Sequence, residues 1–296
     1  MKRSIVMVAV SLSLSCGRPA GEERQAIQNK GSDTMVNAAQ AWAEAYAAKN
    51  PGVTVAVSGG GSGTGFSALI NGTVDIANAS REIKQSEIDA VRNARGKAPK
   101  EFIVGYDALA VYLHANNPIS SISFATLSSI YGEGGTANKW SDLNVTVPGC
   151  PSGEIVRVSR QNNSGTYAYF REHVLGEKEF KLGSRDMHGS KDVVDLVANT
   201  PCAIGYSGLG YATPAVKMPC VSASEGAACV APSEQTAQDR SYAISRPLLM
   251  YTTGEPTGPS KAYLDWILSD EGQCILMKSG YSPLSASLSC PAASAR

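Results

Sequence analysis

Apolar positions in the first third of the chain switch between two periods. Val36, Ala39, Trp42, Ala43 and Tyr46 stand three or four apart and predict an amphipathic helix, which Asn50-Pro51-Gly52 stops. The alternation over residues 53–57 then predicts a strand. Phe66, Leu69 and Ile70 predict a second helix, ended by Asn71-Gly72, and residues 74–79 a short strand. Residues 86–95 read as a helix with Ile88 and Val91 inward. Further on, residues 102–113 and 156–159 have strand character, and residues 126–131 read as a short helix. Tyr167, Phe170 and Val174 continue at helical spacing up to Leu175-Gly176, and a last helix is predicted over 260–269, with Tyr263, Leu264 and Ile267 buried. Residues 217–240, rich in Ala, Ser, Pro and Cys, read as a disulfide-pinned loop outside the core. The order is α/β, without internal repeats.

The N-terminus adds a compartment. Met1-Lys2-Arg3 precedes an apolar run of about ten residues, too short to span a bilayer, and then Ser13-Leu14-Ser15-Cys16-Gly17. Residues 1–16 resemble a bacterial lipoprotein signal, which makes Cys16 the expected lipidated residue and residues 17–26 a flexible tether. Setting Cys16 aside leaves six of the seven cysteines, an even number that favours disulfides in an exported chain. Six cysteines allow fifteen pairings, which sequence does not fix; the local loops Cys220 with Cys229 and Cys274 with Cys290, leaving Cys150 for Cys202, are the expected set. A metal site is not expected: no cysteine pair has zinc-site spacing, and His114, His173 and His188 are scattered. The 26 basic and 26 acidic residues balance without a long basic run, which argues against a nucleic-acid surface.

Three helical patterns begin in small, hydroxyl-rich segments: Gly31-Ser32-Asp33-Thr34, the run Gly59 to Gly65, and Ser164-Gly165-Thr166. A helix start exposes unpaired N–H groups and partial positive charge, and glycine lets a ligand approach the backbone, so the three together predict one shared oxyanion. Taken singly, each serine or threonine is as well explained as a helix cap. The glycine run lacks the spacing of a dinucleotide fingerprint and the Gly-Lys-Ser/Thr of an NTPase loop, and neither Ser62 nor Ser164 sits in Gly-x-Ser-x-Gly. Binding without catalysis is therefore expected, and no cofactor. Hydroxyls of Ser32, Thr34, Ser62, Ser164 and Thr166 can each donate one hydrogen bond, while Arg160 and Arg81, each near the end of a predicted strand, can offer planar forks.

The succession Gly31-Ser32-Asp33-Thr34-Met35, Gly59 to Phe66, Val74-Asp75-Ile76-Ala77-Asn78-Ala79-Ser80-Arg81-Glu82 and Arg160 to Thr166 resembles the periplasmic phosphate-binding proteins of bacterial ABC importers. Ala203-Ile204-Gly205-Tyr206, Ser245-Arg246-Pro247-Leu248, Gly272-Gln273 and Gly280 to Leu284 continue the likeness over nearly the whole mature chain. The resemblance implies a type II periplasmic-binding-protein fold, with two α/β lobes joined by two crossover strands. Lobe 1 is expected over residues 27–107 plus 245–296 and lobe 2 over 108–244, with inorganic phosphate in the cleft and an ABC permease as partner. Thr34 and Met35, the latter through its backbone N–H, Ser62, and Arg160, Ser164, Gly165 and Thr166 fall on the family's ligand positions. Many members carry, where this chain has Arg81, an aspartate that accepts the proton of hydrogen phosphate. Asp33 or Glu82 could supply that acceptor here, which keeps phosphate ahead of sulfate or molybdate. A sensor or adhesin built on the same lobe is the other reading.

Overall fold

The computed structural model describes residues 25–290. The signal segment, Cys16 and the tether through residue 24 lie outside them. Chain order runs β1 (Gln25–Gly31), α1 (Val36–Lys49), β2 (Val53–Ser58), α2 (Ser62–Asn71), β3 (Ile76–Ala79), α3 (Gln85–Arg95) and β4 (Pro99–His114). It continues with β5 (Ser121–Ser123), α4 (Phe124–Tyr131), β6 (Val156–Arg160), α5 (Gly165–His173), β7 (Arg185–Met187), α6 (Ser190–Ala198), β8 (Ala203–Gly208), β9 (Val216–Lys217) and β10 (Cys220–Ser222). The last elements are α7 (Glu234–Gln238), β11 (Ser245–Thr253), α8 (Gly258–Ile267) and α9 (Asp270–Lys278).

One curled sheet, ordered β2-β1-β3-β11-β4-β8-β6-β7, with β9 added on β4, runs through both halves of the molecule, and β5 and β10 form a separate two-stranded parallel sheet. β1, β2 and β3 are parallel; β11 runs antiparallel to β3 and to β4. The long β4 belongs to both halves. Through Ala108 it pairs with β11, and from Leu109 to Leu113 with β8. Beyond it β8, β6 and β7 are mutually parallel. Each half-sheet is covered on both faces, as its near-continuous apolar strands require. In the first half, α1, α8 and α9 pack Trp42, Tyr46, Tyr263 and Leu276 on one face, while α2 and α3 pack Phe66, Leu69 and Val91 on the other. In the second half, α4 and α5 bring Tyr131 and Phe170 against Tyr206, and α6 covers the opposite face with Val193 and Val197.

The three disulfides pair as expected: Cys150 with Cys202, Cys220 with Cys229, and Cys274 with Cys290. Three boundaries need correction. Gln25 and Ala26, assigned to the tether, already pair with Val53 and Thr54 at the start of β1. Residues 217–240 are not loop throughout: Val221 of β10 and Ala237 of α7 are buried in the core of the second half. The helix over 260–269 is not the last, because Ser269 turns the chain into α9, whose Gln273 donates to the Val104 and Ile267 carbonyls. α9 opens with Asp270-Glu271-Gly272, a start too polar for the hydrophobic pattern to register.

Candidate functional site

Parallel strands place their C-terminal ends in line, and the crevice beyond those ends is where an open α/β sheet binds ligands. Here the ends of β1, β3 and β6 deliver Ser32, Ser80 and Arg160 to one region. The starts of α2 and α5 add Ser62 and Ser164 to Thr166. All of these side chains are buried. Ser32 Oγ donates to Ser80 Oγ at 2.9 Å, and the Ser80 N–H to Ser62 Oγ at 3.1 Å. Thr34 Oγ1 lies 2.9 Å from Thr166 Oγ1. Ser164 caps α5, accepting from the Thr166 N–H at 3.2 Å.

Close backbone contact explains the glycines. Gly61 has a φ of 93°, in the left-handed region, and a Cβ on it would stand 2.6 Å from the Asn163 carbonyl oxygen. Asn163 is thereby free to clamp the run: the Gly63 N–H donates to its carbonyl at 3.0 Å, and its Nδ2 donates to the Gly60 carbonyl at 3.0 Å. The glycine run and the segment ahead of α5 thus meet backbone to backbone beside the hydroxyl cluster.

Arg160 is fully buried at the end of β6. Its Nη1 donates to Ser190 Oγ at 2.9 Å, and its Nη2 to the His188 carbonyl at 2.9 Å and to Asp33 Oδ2 at 3.3 Å. Its Nε has no partner among the described residues. Burial pulls the guanidinium below its ordinary value, and the Asp33 carboxylate opposes that. Asp33 Oδ1 accepts from the Gly60 N–H at 3.1 Å, and its carbonyl accepts from the Tyr211 hydroxyl, whose own value burial pushes up to about 12.

Two site residues escaped the sequence reading. Arg246 and Asp107 face each other as register partners on β11 and β4, both essentially inaccessible. Arg246 Nε and Nη2 donate to Asp107 Oδ2 at 2.9 and 2.8 Å. The same guanidinium donates from Nη1 to Thr166 Oγ1 at 3.1 Å and to the Ser80 carbonyl at 3.2 Å, and from Nη2 to Thr34 Oγ1 at 3.3 Å. Asp107 Oδ1 accepts from the Leu209 N–H. Burial raises the Asp107 carboxyl above its usual range, against the pull of Arg246. A lone aspartate inside the apolar stretch 102–113 was the available signal, since a carboxylate buried in a strand needs a cationic partner.

Three expected contributors stand elsewhere or are occupied. Arg81 turns onto α3, where Glu87 takes it bidentately at 2.7 and 2.8 Å and the Phe66 ring lies 4.8 Å beneath it. Glu82 is exposed, with its carbonyl accepting from Arg81. The Met35 N–H donates to the Ser32 carbonyl at 3.1 Å, closing a 3-10 turn. Among the described residues, no group of three His, Cys, Asp or Glu side chains could hold a metal ion.

A family profile for the PBP superfamily domain matches residues 18–271. The phosphate-binding protein PstS of Pseudomonas aeruginosa is 34% identical over 270 residues, covering 88% of this chain and 83% of that protein. Protein SphX of Synechococcus elongatus is 32% identical over 303 residues, with 97% and 86% covered. A crystal structure from Clostridium perfringens, described as a candidate phosphate ABC transporter substrate-binding protein with bound phosphate, superposes with a TM-score of 0.76. It is 30% identical, and the match covers 88% of this chain and all of that one.

Proposed function

As the chain belongs to the PBP superfamily and, within it, to the PstS-type phosphate-binding proteins, we propose that it binds inorganic phosphate and hands it to an ABC permease. One observation carries the reading to named residues. Arg160 is fully buried, yet its Nε–H lacks a partner among the described residues, and it lies beside Asp33 at the start of α1, in a region lined by inward hydroxyls. A buried cationic donor left unpaired is costly, and an oxyanion removes that cost.

Lobe 1 supplies Ser32, Thr34 and Ser62; lobe 2 supplies Arg160, Ser164, Gly165 and Thr166. The lobes divide at residues 107/108 and 244/245, which is supported by the transfer of β4 pairing from β11 to β8 after Ala108. Phosphate enters between separated lobes, and closure brings the second set onto its remaining oxygens. Asp33 accepts the proton of hydrogen phosphate, a role supported by its place against Arg160. Sulfate has no such proton, so its oxygen would face the carboxylate unpaired, which costs several kcal/mol.

The protein works outside the cytoplasm, held to a bacterial membrane by lipid on Cys16, and catalyses no reaction. Equilibrium binding of labelled phosphate to the purified protein tests the assignment, with one phosphate per chain expected. Incubation with a phosphomonoester should release no phosphate. Labelled palmitate should enter the wild-type protein and not Cys16→Ser.

A further inference from the structure

We propose that Arg246, held by Asp107, is a positioning residue of the site: it holds the hydroxyls of Thr34 and Thr166 as donors toward the anion from the strand that joins the lobes. The inference rests on the phosphate reading above. A guanidinium has five N–H groups. In Arg246 every one has an acceptor: Nε and one Nη2 hydrogen on Asp107 Oδ2, the other Nη2 hydrogen on Thr34 Oγ1, and the Nη1 pair on Thr166 Oγ1 and the Ser80 carbonyl. Arg246 therefore has no donor left for a ligand, in contrast to Arg160 with its unpartnered Nε. It acts through the threonines.

The chemistry follows from what those bonds occupy. Each threonine oxygen accepts from a cation, which fills a lone pair, polarises the O–H and leaves its single hydrogen to be donated onward. With the two oxygens 2.9 Å apart, one hydroxyl donates to the other and one hydrogen remains free. An oxyanion between them takes both. Thr34 belongs to the first lobe and Thr166 to the second, so a single side chain on β11 orients one donor from each. Asp107 fixes the plane of the fork from the register position opposite on β4. The fork needs a planar group with several donors; a lysine ammonium has neither the plane nor the reach to both hydroxyls.

A double-mutant cycle on phosphate affinity tests this, with Arg246→Lys, Thr166→Val and the double variant titrated calorimetrically, and folding checked by circular dichroism. Each single change is expected to raise Kd at least about tenfold, and Arg246→Lys to cost at least about threefold less in the Thr166→Val background than in the wild type, the remainder acting through Thr34. A residue with a purely structural role would give additive effects. Additivity, or an unchanged Kd in Arg246→Lys, overturns the proposal. If Arg246→Lys does not fold, Asp107→Asn, which keeps the guanidinium but releases its anchor, takes its place in the cycle with the same expectations. Wild-type protein that binds no phosphate would break the functional reading itself; wild-type binding with an additive cycle breaks only this inference.

Discussion

Thr34 and Thr166, 132 positions apart in the chain, bring their hydroxyl oxygens to 2.9 Å. One lies in the 3-10 turn ahead of α1 and the other in the first turn of α5, so two distant helix starts meet at their hydroxyls.

Arg160 is the charge on which the proposed site centres. Arg160→Ala is expected to weaken phosphate by at least about 2 kcal/mol, a loss of roughly thirtyfold in Kd. Calorimetric titration reads it. Binding at wild-type strength would place the anion elsewhere.

Arg81, in contrast, is taken up by Glu87. Its bidentate pair with Glu87 ties the loop after β3 to the start of α3, and both side chains are largely buried. Arg81→Ala should cost about 1 to 3 kcal/mol in urea unfolding while leaving phosphate Kd within about twofold. A large affinity loss without a stability loss would return Arg81 to the site.

Gly165 packs tightly against the serines at the end of β3 and the start of α2. A Cβ there would stand 2.3 Å from Ser62 Oγ and 2.7 Å from Ser80 Oγ, although its helical backbone accepts alanine. Gly165→Ala is therefore expected to keep the cleft from closing and to raise phosphate Kd at least about tenfold with lobe structure intact. Circular dichroism and titration together separate the two effects.

Asp107 gives a pH signature. Burial lifts its carboxyl above the ordinary carboxylate value, so the folded protein holds that proton more tightly than the unfolded chain. The stability this contributes is present below about 3.9, the unfolded value, and is lost as pH rises through the folded value. Asn at this position does not titrate. The stability of wild type minus that of Asp107→Asn should thus fall as pH rises above about 4, read by urea unfolding at successive pH values. A difference that grows over the same range contradicts the assignment.

Much of the hydroxyl cluster was legible because helix starts are local. Glycine and hydroxyl residues ahead of an apolar period announce an N-terminus within a few positions, and Arg160 lies in the same short stretch as Ser164. The disulfides were legible for the same reason, two of them closing short loops and the third left by elimination. Arg246 and Asp107 were not, since strand register joins residues 139 positions apart and no spacing encodes it. The Arg81 partner was not legible because a guanidinium at a strand end looks the same in sequence whether it faces a cleft or a carboxylate on the next helix. Glu87, six residues on, decided it.

Paired titrations of the purified protein with phosphate and with sulfate, at neutral pH, test the account most directly. One phosphate per chain with little competition from sulfate is the expected result, and Asp33→Asn should narrow the difference between the two anions. Equal binding of phosphate and sulfate by the wild-type protein, or no phosphate binding, would contradict it.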